Sequence, residues 1–182
     1  DTLHFQYSVS QDTSSVFFAP IHHIHNEKIA VHKYFAISIE NTVDSTLRDK
    51  AFIAQINKEG KLAYRGGKWV NNKLTTKLKS FGRFSVSIDT LSPSVTGLNI
   101  FPGKVMTSST IKMTIKDDMS GIKFYRGEID GKWILMEYDP KRARLTHYFE
   151  KDLSKGKHAF NLEVEDEKGN ISKYKADFIY KP

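Results

Sequence analysis

The chain concentrates its histidines near its start, and their spacing is suited to metal binding. Five of the seven histidines lie within residues 1–32, and the run His22–His25 contains a His-x-His pair. On a strand, alternate side chains point to one face, so His23 and His25 could bind one zinc ion. Only His32 or Glu27 lies nearby to complete such a site. One hypothesis is therefore a zinc-dependent amidohydrolase, and the alternative is a polar loop.

Aromatic residues form the second group that could bind a ligand. Trp69 and Trp133, together with Tyr125 and Tyr138, offer flat rings on which a sugar could stack. Aromatic rings also fill the space between two packed sheets, and Trp133 follows a predicted turn at Asp130. The binding hypothesis and the packing hypothesis both stay open for these residues.

A short basic cluster is the third candidate. Arg142 and Arg144 lie in the segment Lys141–Arg144, which follows Asp139-Pro140 and is therefore predicted to form or flank a turn. The cluster either contacts a carbohydrate or protein partner or is a solvated loop.

Carboxylates offer a further metal hypothesis. Calcium prefers several oxygen ligands from adjacent loops, and Asp117, Asp118 and Asp166 lie in predicted turns. The alternative is that these side chains accept hydrogen bonds from their own turns.

No further catalytic pattern occurs in the sequence. There is no Gly-x-Ser-x-Gly elbow, His-Glu-x-x-His motif, phosphate-binding loop or dinucleotide-binding turn. The absence of cysteine excludes disulfides, thiolate zinc sites and thiol nucleophiles. We therefore assign no catalytic residue and expect no cofactor in this chain.

The net charge of +7 raises the question of nucleic acid as a partner. Residues 1–90 hold 12 basic and 8 acidic side chains, and residues 91–182 hold 16 and 13. Because the excess is spread evenly and no nucleic-acid-binding motif occurs, we predict no nucleic-acid partner. Attraction to anionic polymers of a cell envelope explains the charge equally well.

Apolar residues alternate with polar ones through most of the chain, which is typical of half-buried strands. Turn signals separate these segments, and only Ser45 to Lys50 suggests a short helical turn. No apolar run approaches the ~20 residues that span a bilayer. The fold class is therefore predicted to be all-β.

The segment Asp89–Pro93 interrupts the strand pattern, because proline cannot continue a ladder. It divides the chain into residues 1–90, a β-sandwich interpreted as truncated at its N-terminal side, and residues 91–182, an immunoglobulin-like β-sandwich. We predict two tandem immunoglobulin- or fibronectin-like β-sandwich domains. Exposed edge strands would also permit protein–protein contact by strand addition.

Three stretches carry a resemblance to a known family. They are Gly66–Trp69 with Phe81–Phe84, then Asp117–Ile122 leading into Tyr125–Trp133, and finally Lys155–His158 with Val164–Asp166 and Gly169-Asn170. Together they resemble the C-terminal, non-catalytic region of Bacteroidetes lysostaphin-like zinc metallopeptidases that cleave peptidoglycan.

The resemblance implies an accessory pair of sandwiches in the periplasm or at the cell surface of a Gram-negative bacterium. Its partners would be an upstream peptidase domain, an envelope protein assembly, or peptidoglycan or another polysaccharide. In that family, a His-x-x-x-Asp motif and a later His-x-His bind the zinc. No histidine here has an aspartate four residues later. Any zinc ion is therefore expected in an upstream domain.

Overall fold

The computed structural model describes residues 4–12, 15–149 and 153–182. These residues form antiparallel β-sheets, with one parallel strand pair and one short 3-10 turn at Ser45–Lys50, as the sequence predicts. The side chain of Asp44 caps this turn by accepting a 2.8 Å hydrogen bond from the backbone N–H of Thr46. No helix in the described part of the chain has the length and apolarity needed to span a membrane. The strands and the single 3-10 turn make the fold of the described residues all-β.

The chain divides into two compact units, Asp1–Thr90 and Leu91–Pro182. The N-terminal unit is a sandwich of two sheets, with strand orders β1-β2-β8-β4-β5 and β3-β7-β6. Its strands, over the described residues, are β1 Tyr7–Ser10, β2 Ile21–Ile24, β3 Ala30–Ile39, β4 Ala51–Ile56, β5 Leu62–Tyr64, β6 Lys68–Val70, β7 Lys73–Ser80 and β8 Gly82–Ile88.

The core of the N-terminal unit lies between these two sheets. Ile53, Phe84 and Val86 project from the larger sheet, and Leu74 and Leu78 project from the smaller one, all nearly inaccessible to water. Leu74 and Leu78 lie on one face of β7 and its lysines on the other, so the strand places its leucines in the core and its lysines in solvent. Burial of apolar surface is thus what joins the sheets.

The C-terminal unit is also a two-sheet sandwich, with strand orders β10-β17-β16-β12-β13 and β14-β15-β11-β9. Its strands, over the described residues, are β9 Ser94–Gly97, β10 Lys104–Met106, β11 Thr110–Lys116, β12 Ile122–Ile129, β13 Lys132–Ile134, β14 Glu137–Asp139, β15 Arg144–Tyr148, β16 Gly156–Asp166 and β17 Ile171–Tyr180. The first two strands of the unit lie in different sheets, with β9 in the four-stranded sheet and β10 in the five-stranded one. β10 pairs in parallel with β17, the last strand. This is the strand order of an immunoglobulin-type sandwich.

The core of the C-terminal unit follows the alternation read from the sequence. Ile111, Met113 and Ile115 of β11 face Phe160 and Leu162 of β16, and all five side chains are buried. The intervening residues on both strands are more exposed. Periodicity of two therefore fixes which face of each strand enters the core.

Two tight turns have the backbone conformation that their residue types predict. Asn71 and Asn72 have φ values of 46° and 65°, and Asp130 and Gly131 have values of 52° and 75°. Two successive residues with positive φ form the hairpin turn that favours Asn and Gly. The second turn joins β12 to β13 and so sets where β13 begins to pair with β12 at the edge of the sheet.

Two details differ from the sequence-based expectation. The alternating residues Phe5, Tyr7 and Val9 are not half-buried but 55%, 57% and 47% exposed, because β1 is the edge of its sheet. The basic charge is also less evenly spread than the sequence suggests. The three strands β3, β6 and β7 contain five lysines and no acidic residue.

Candidate binding site

The histidine run lies on β2 and just beyond it. β2 ends at Ile24, and His25 has a φ of 51°, so the strand alternation that would align His23 with His25 does not reach His25. Within the described residues, neither histidine belongs to a group of three close His, Asp or Glu ligand atoms. The structure thus brings no third ligand to the predicted zinc pair.

Each of these histidines instead has a local partner. His23 Nε2 lies 2.8 Å from Ser10 Oγ, and His25 Nδ1 is 3.4 Å from the backbone nitrogen of Gln6. The ring of His25 stacks on Phe5 and meets the edge of Phe81, with ring centroids 5.8 and 4.9 Å apart. These contacts attach the edge strand β1 to β2.

His22 also serves this attachment. Its Nδ1 lies 2.7 Å from the hydroxyl oxygen of Tyr7, and the two rings stack with their centroids 6.0 Å apart. Burial and the neighbouring His23 lower the pKa of His22 from its ordinary value. A neutral imidazole suits a side chain that packs between strands.

Trp69 is engaged within the N-terminal unit. Its indole N–H donates a 3.0 Å hydrogen bond to the carbonyl oxygen of Arg48, and the Arg48 guanidinium lies 4.6 Å from the ring centroid. The ring also packs against the core of that unit. These contacts account for Trp69 as a packing residue.

The two arginines of the basic cluster have different surroundings. Arg142 is exposed in the turn between β14 and β15, with its Nε 3.8 Å from Asp139 Oδ2. Arg144 is half-buried on β15, opposite Thr114 and Asp139. Only Arg142 is therefore freely available to a partner.

The predicted calcium ligands are brought together only in part. Carboxylate oxygens of Asp117 and Asp166 lie within 4.8 Å of each other, and Asp166 is fully buried. Asp117 Oδ2 accepts hydrogen bonds from the backbone N–H groups of Met119 and Gly121 at 3.0 and 2.6 Å. Asp118 instead forms an exposed ion pair with Lys116.

Asp166 organises the hairpin between β16 and β17. Its Oδ1 accepts hydrogen bonds from the N–H groups of Lys168 and Asn170 at 2.7 and 2.9 Å, and its Oδ2 accepts one from Asn170 Nδ2 at 2.7 Å. Half-buried Asp117 and buried Asp166 thus both accept hydrogen bonds from backbone donors of their own turns.

The remaining candidate, Trp133, lies on the edge strand β13 and is 59% exposed. Leu135, two residues later, is 62% exposed, and Phe124 on the adjacent β12 is 45% exposed. Ile134 and Met136 point the other way and pack in the core. We refer to Trp133, Leu135 and Phe124 as the apolar edge.

The backbone beneath the apolar edge is held by side chains from two other strands. His147 Nδ1 donates a 2.8 Å hydrogen bond to the carbonyl oxygen of Leu135. The hydroxyl of Tyr125 donates to the carbonyl oxygen of Met136 at 3.3 Å. These two hydrogen bonds position the backbone of the link from β13 to β14.

Gly127 allows Met136 to cross β12 at close range. A Cβ at position 127 would lie 2.5 Å from Met136 Sδ and 3.2 Å from Ile134 Cγ1. Any larger residue would force the side chains of Met136 and Ile134 to shift. The packing of these two residues against β12 thus depends on this glycine.

Two clefts lie beside Trp133. One, of about 350 Å³, is lined by residues including Tyr125, Phe124 and Leu135, so the structure does bring Tyr125 and Trp133 to the same cleft. The other, of about 380 Å³, is lined in part by Leu135, His147 and His158. The first cleft is open beside an exposed indole and could accept an apolar or aromatic group.

His158 forms part of the wall of the second cleft and is only 8% exposed. Its Nδ1 lies 2.6 Å from Asp130 Oδ2, and its Nε2 lies 2.8 Å from the carbonyl oxygen of Ser154. Burial lowers the pKa of His158, but the hydrogen bonds to Asp130 and Ser154 outweigh burial, so the pKa is raised. Because both of its ring nitrogens are engaged, His158 forms a structural pair with Asp130 rather than a free base.

Four residues of this region were not predicted from the sequence, namely Leu135, Phe124, His147 and His158. One signal was present. Trp133–Met136 is an unbroken apolar run in a chain of alternating strands, so two of its four side chains had to face away from the core.

One family model matches the N-terminal part of the chain. Residues 1–89 match the family described as Zu5-like domain. That match covers just under half of the chain. No curated protein matches it.

Several solved structures show a remote likeness. CopC from Methylosinus trichosporium OB3b is 15% identical with a TM-score of 0.38, and the alignment covers 49% of this chain and 95% of CopC. Dimeric latent PorU from Porphyromonas gingivalis is 13% identical with a TM-score of 0.39, and 91% of this chain aligns with 24% of PorU. A membrane-anchored protein from Corynebacterium diphtheriae is 10% identical with a TM-score of 0.31, and 97% of this chain aligns with 52% of that protein. The chain thus spans about a quarter of PorU and half of the Corynebacterium protein.

Proposed function

We propose that this chain is a non-catalytic accessory module of a cell-envelope protein and that its apolar edge is the surface by which it contacts the rest of that protein. The apolar edge carries the proposal. Three large apolar side chains, Trp133, Leu135 and Phe124, are about half exposed or more on neighbouring segments of one unit. Soluble proteins expose contiguous apolar groups of this kind mainly where they bind a partner.

The arrangement of the chemical groups supports a binding role over a catalytic one. Among the described residues, His22, His23, His147 and His158 each place a ring nitrogen at hydrogen-bond distance from Tyr7, Ser10, Leu135 and Asp130 in turn. His4 and His32 are exposed and belong to no close group of metal-ligating side chains in the described part of the chain. Asp117 and Asp166 accept hydrogen bonds within their own turns. Tryptophan is also among the residues most enriched in binding hot spots.

The sequence resemblance supports a finer version of the proposal. In that version, the parent protein is a lysostaphin-like zinc metallopeptidase that cleaves peptidoglycan, and its zinc is held by another domain. The partner of the apolar edge is then that peptidase domain or another protein of its assembly. The module acts in the periplasm or at the cell surface.

Site-specific photo-crosslinking tests the proposal. A photoreactive phenylalanine analogue replaces Trp133 in the natural full-length protein, expressed in its own cells, and the same analogue replaces exposed Lys112 as the control. We expect position 133 to crosslink to a peptide from a domain that carries His-x-x-x-Asp and His-x-His zinc motifs, and position 112 to give no such adduct. Equal yields at the two positions, or no protein adduct at position 133, would contradict the proposal.

A second candidate is a carbohydrate-binding module that uses the same tryptophan. The observation in its favour is a pair of charged side chains beside the indole. Trp133 lies opposite Glu128, and Glu128 accepts a 2.8 Å hydrogen bond from Arg126 Nε. A flat aromatic ring beside paired charges is suited to a sugar ring and its hydroxyls. A crosslink from position 133 to glycan rather than to protein would favour this candidate.

A further inference from the structure

The smaller sheet of the N-terminal unit has an outer face of a single charge sign. Its three strands, β3, β6 and β7, contain no aspartate or glutamate. Lys77 and Lys79 alternate with buried Leu78 on β7, and Lys68 pairs with Thr75 across the adjacent strand. These lysines therefore point away from the core. We refer to Lys68, Lys77 and Lys79 as the basic face.

No ion pair neutralises the basic face among the described residues. Lys73, at the end of the same strand, is paired with Glu40 at 2.8 Å, but the three lysines of the face have no carboxylate partner. Lys77 and Lys79 lie two residues apart on one strand, which is about 7 Å along its axis. The result is a short row of uncompensated positive charge.

The centre of the face is polar and flat. Ser38 Oγ and Thr75 Oγ1 lie 2.8 Å apart on neighbouring strands and are hydrogen-bonded to each other. Tyr34 borders this centre, and the ammonium group of Lys79 lies 5.7 Å from the centroid of its ring. Hydroxyl groups between ammonium groups can bind both the charged and the neutral oxygens of a ligand.

We propose that the basic face binds a linear acidic polysaccharide, whose carboxylates pair with the lysines while its hydroxyls contact Ser38 and Thr75. This inference goes beyond the proposed function, because it concerns another unit, another surface and another class of ligand. Charge complementarity carries it: the ammonium groups of Lys77 and Lys79 on β7 and of Lys68 on the adjacent β6 can pair with successive anions of one polymer chain.

Other polyanions fit the face less well. Single-stranded nucleic acid is bound by stacking successive bases on several aromatic rings, whereas the described strands β3, β6 and β7 expose a single ring, that of Tyr34. A duplex needs a protruding element that enters a groove, and the face is a flat sheet. Insertion into a membrane surface needs an apolar centre, whereas the centre here consists of two hydroxyls.

The test measures binding of the purified chain to polygalacturonate by biolayer interferometry at low and moderate salt. The triple variant K68Q/K77Q/K79Q removes the charge of the basic face. Its matched control, K112Q/K157Q/K175Q, removes the same charge from exposed lysines of the other unit. Circular dichroism shows that each variant is folded.

We expect the basic-face variant to lose affinity by about tenfold or more, and the control by about threefold or less, since only direct contacts release counterions. We also expect the affinity of the unmodified chain to fall with rising salt. Equal losses in the two variants, or no binding at low salt, would overturn the proposal.

Two further ligands decide the class of partner. Single-stranded DNA and vesicles of anionic phospholipid are titrated under the same conditions, and we expect both to bind more weakly than polygalacturonate. Tighter binding of either would overturn the assignment to polysaccharide. The variant S38A/T75V tests the hydroxyls: we expect weaker binding with an unchanged salt dependence, and unchanged affinity would contradict the hydroxyl contacts.

Discussion

His158 and Asp130 lie 28 residues apart in the sequence and form a 2.6 Å hydrogen bond at the wall of the cleft beside Trp133. The second nitrogen of the ring faces a carbonyl oxygen, which can only accept a hydrogen bond. Both ring nitrogens must therefore carry a proton, and the folded protein favours the charged imidazolium. The Asp130 carboxylate also accepts a 2.8 Å hydrogen bond from the N–H of Ala159, so the pair fixes the start of β16 against the hairpin.

This pair makes the stability of the C-terminal unit depend on pH. The pKa of His158 is raised above its ordinary 6.5, so its contribution is complete below that pH and is lost as pH rises through the folded-state pKa. Burial raises the pKa of Asp130, but hydrogen bonds from His158 and Ala159 lower it overall, so the Asp130 contribution is lost as pH falls below about 3.8. Urea unfolding at a series of pH values should show this window.

The variant H158Q should remove the alkaline part of that dependence. We expect it to lower the free energy of unfolding by about 1–3 kcal/mol at pH 5.5, because the charged hydrogen bonds from the imidazolium to Asp130 and Ser154 are lost. The loss should be smaller at pH 8.5, because the pKa of His158 is raised on folding and its contribution to stability declines as the pH rises. The control H32Q alters an exposed histidine and should change neither value. A loss in H158Q that is the same at both pH values would contradict a charged pair.

Gly127 should contribute to the stability of the protein, because Met136 packs closely against it. We expect G127A to destabilise the protein by about 1–3 kcal/mol, because its Cβ meets Met136 in a packed core. The same change in an M136A background should cost less, since the obstructing sulfur is gone. Urea unfolding of the four proteins completes the cycle, and additive effects would show that the two residues do not interact.

The two tryptophans should differ in their accessibility to solvent. Trp133 is 59% exposed, whereas Trp69 is half-buried with its N–H bonded to Arg48. We expect acrylamide to quench the fluorescence of the W69F variant strongly and that of W133F weakly. The opposite order would remove the apolar edge as a candidate contact surface.

The sequence predicts local features of this fold well and long-range ones poorly. Alternation correctly places Ile111, Met113 and Leu78 in the core, and the Asp130-Gly131 pair correctly predicts a tight turn. These features depend on neighbouring residues alone. That β13 is an edge strand depends on the order of five strands, which no local pattern encodes.

The candidate sites show the same limit. The zinc hypothesis assumed that alternation continues through His25, but the positive φ of that residue ends the strand one position earlier. The basic face was missed because charge was counted along the sequence, while the lysines of β6 and β7 become neighbours only through strand pairing. Leu135 was missed because the apolar run Trp133–Met136 does not show which two of its side chains face away from the core, and that depends on how β13 pairs with β12.

The central claim is that this chain binds without catalysing a reaction, and one measurement tests it most directly. The purified chain is incubated with equimolar zinc and isolated peptidoglycan, and newly released amino groups are counted over time. We predict no release above a sample without protein, and no difference between the unmodified chain and H25A. Zinc-dependent release that is lost in H25A would contradict the account and would make His23 and His25 ligands of a catalytic metal.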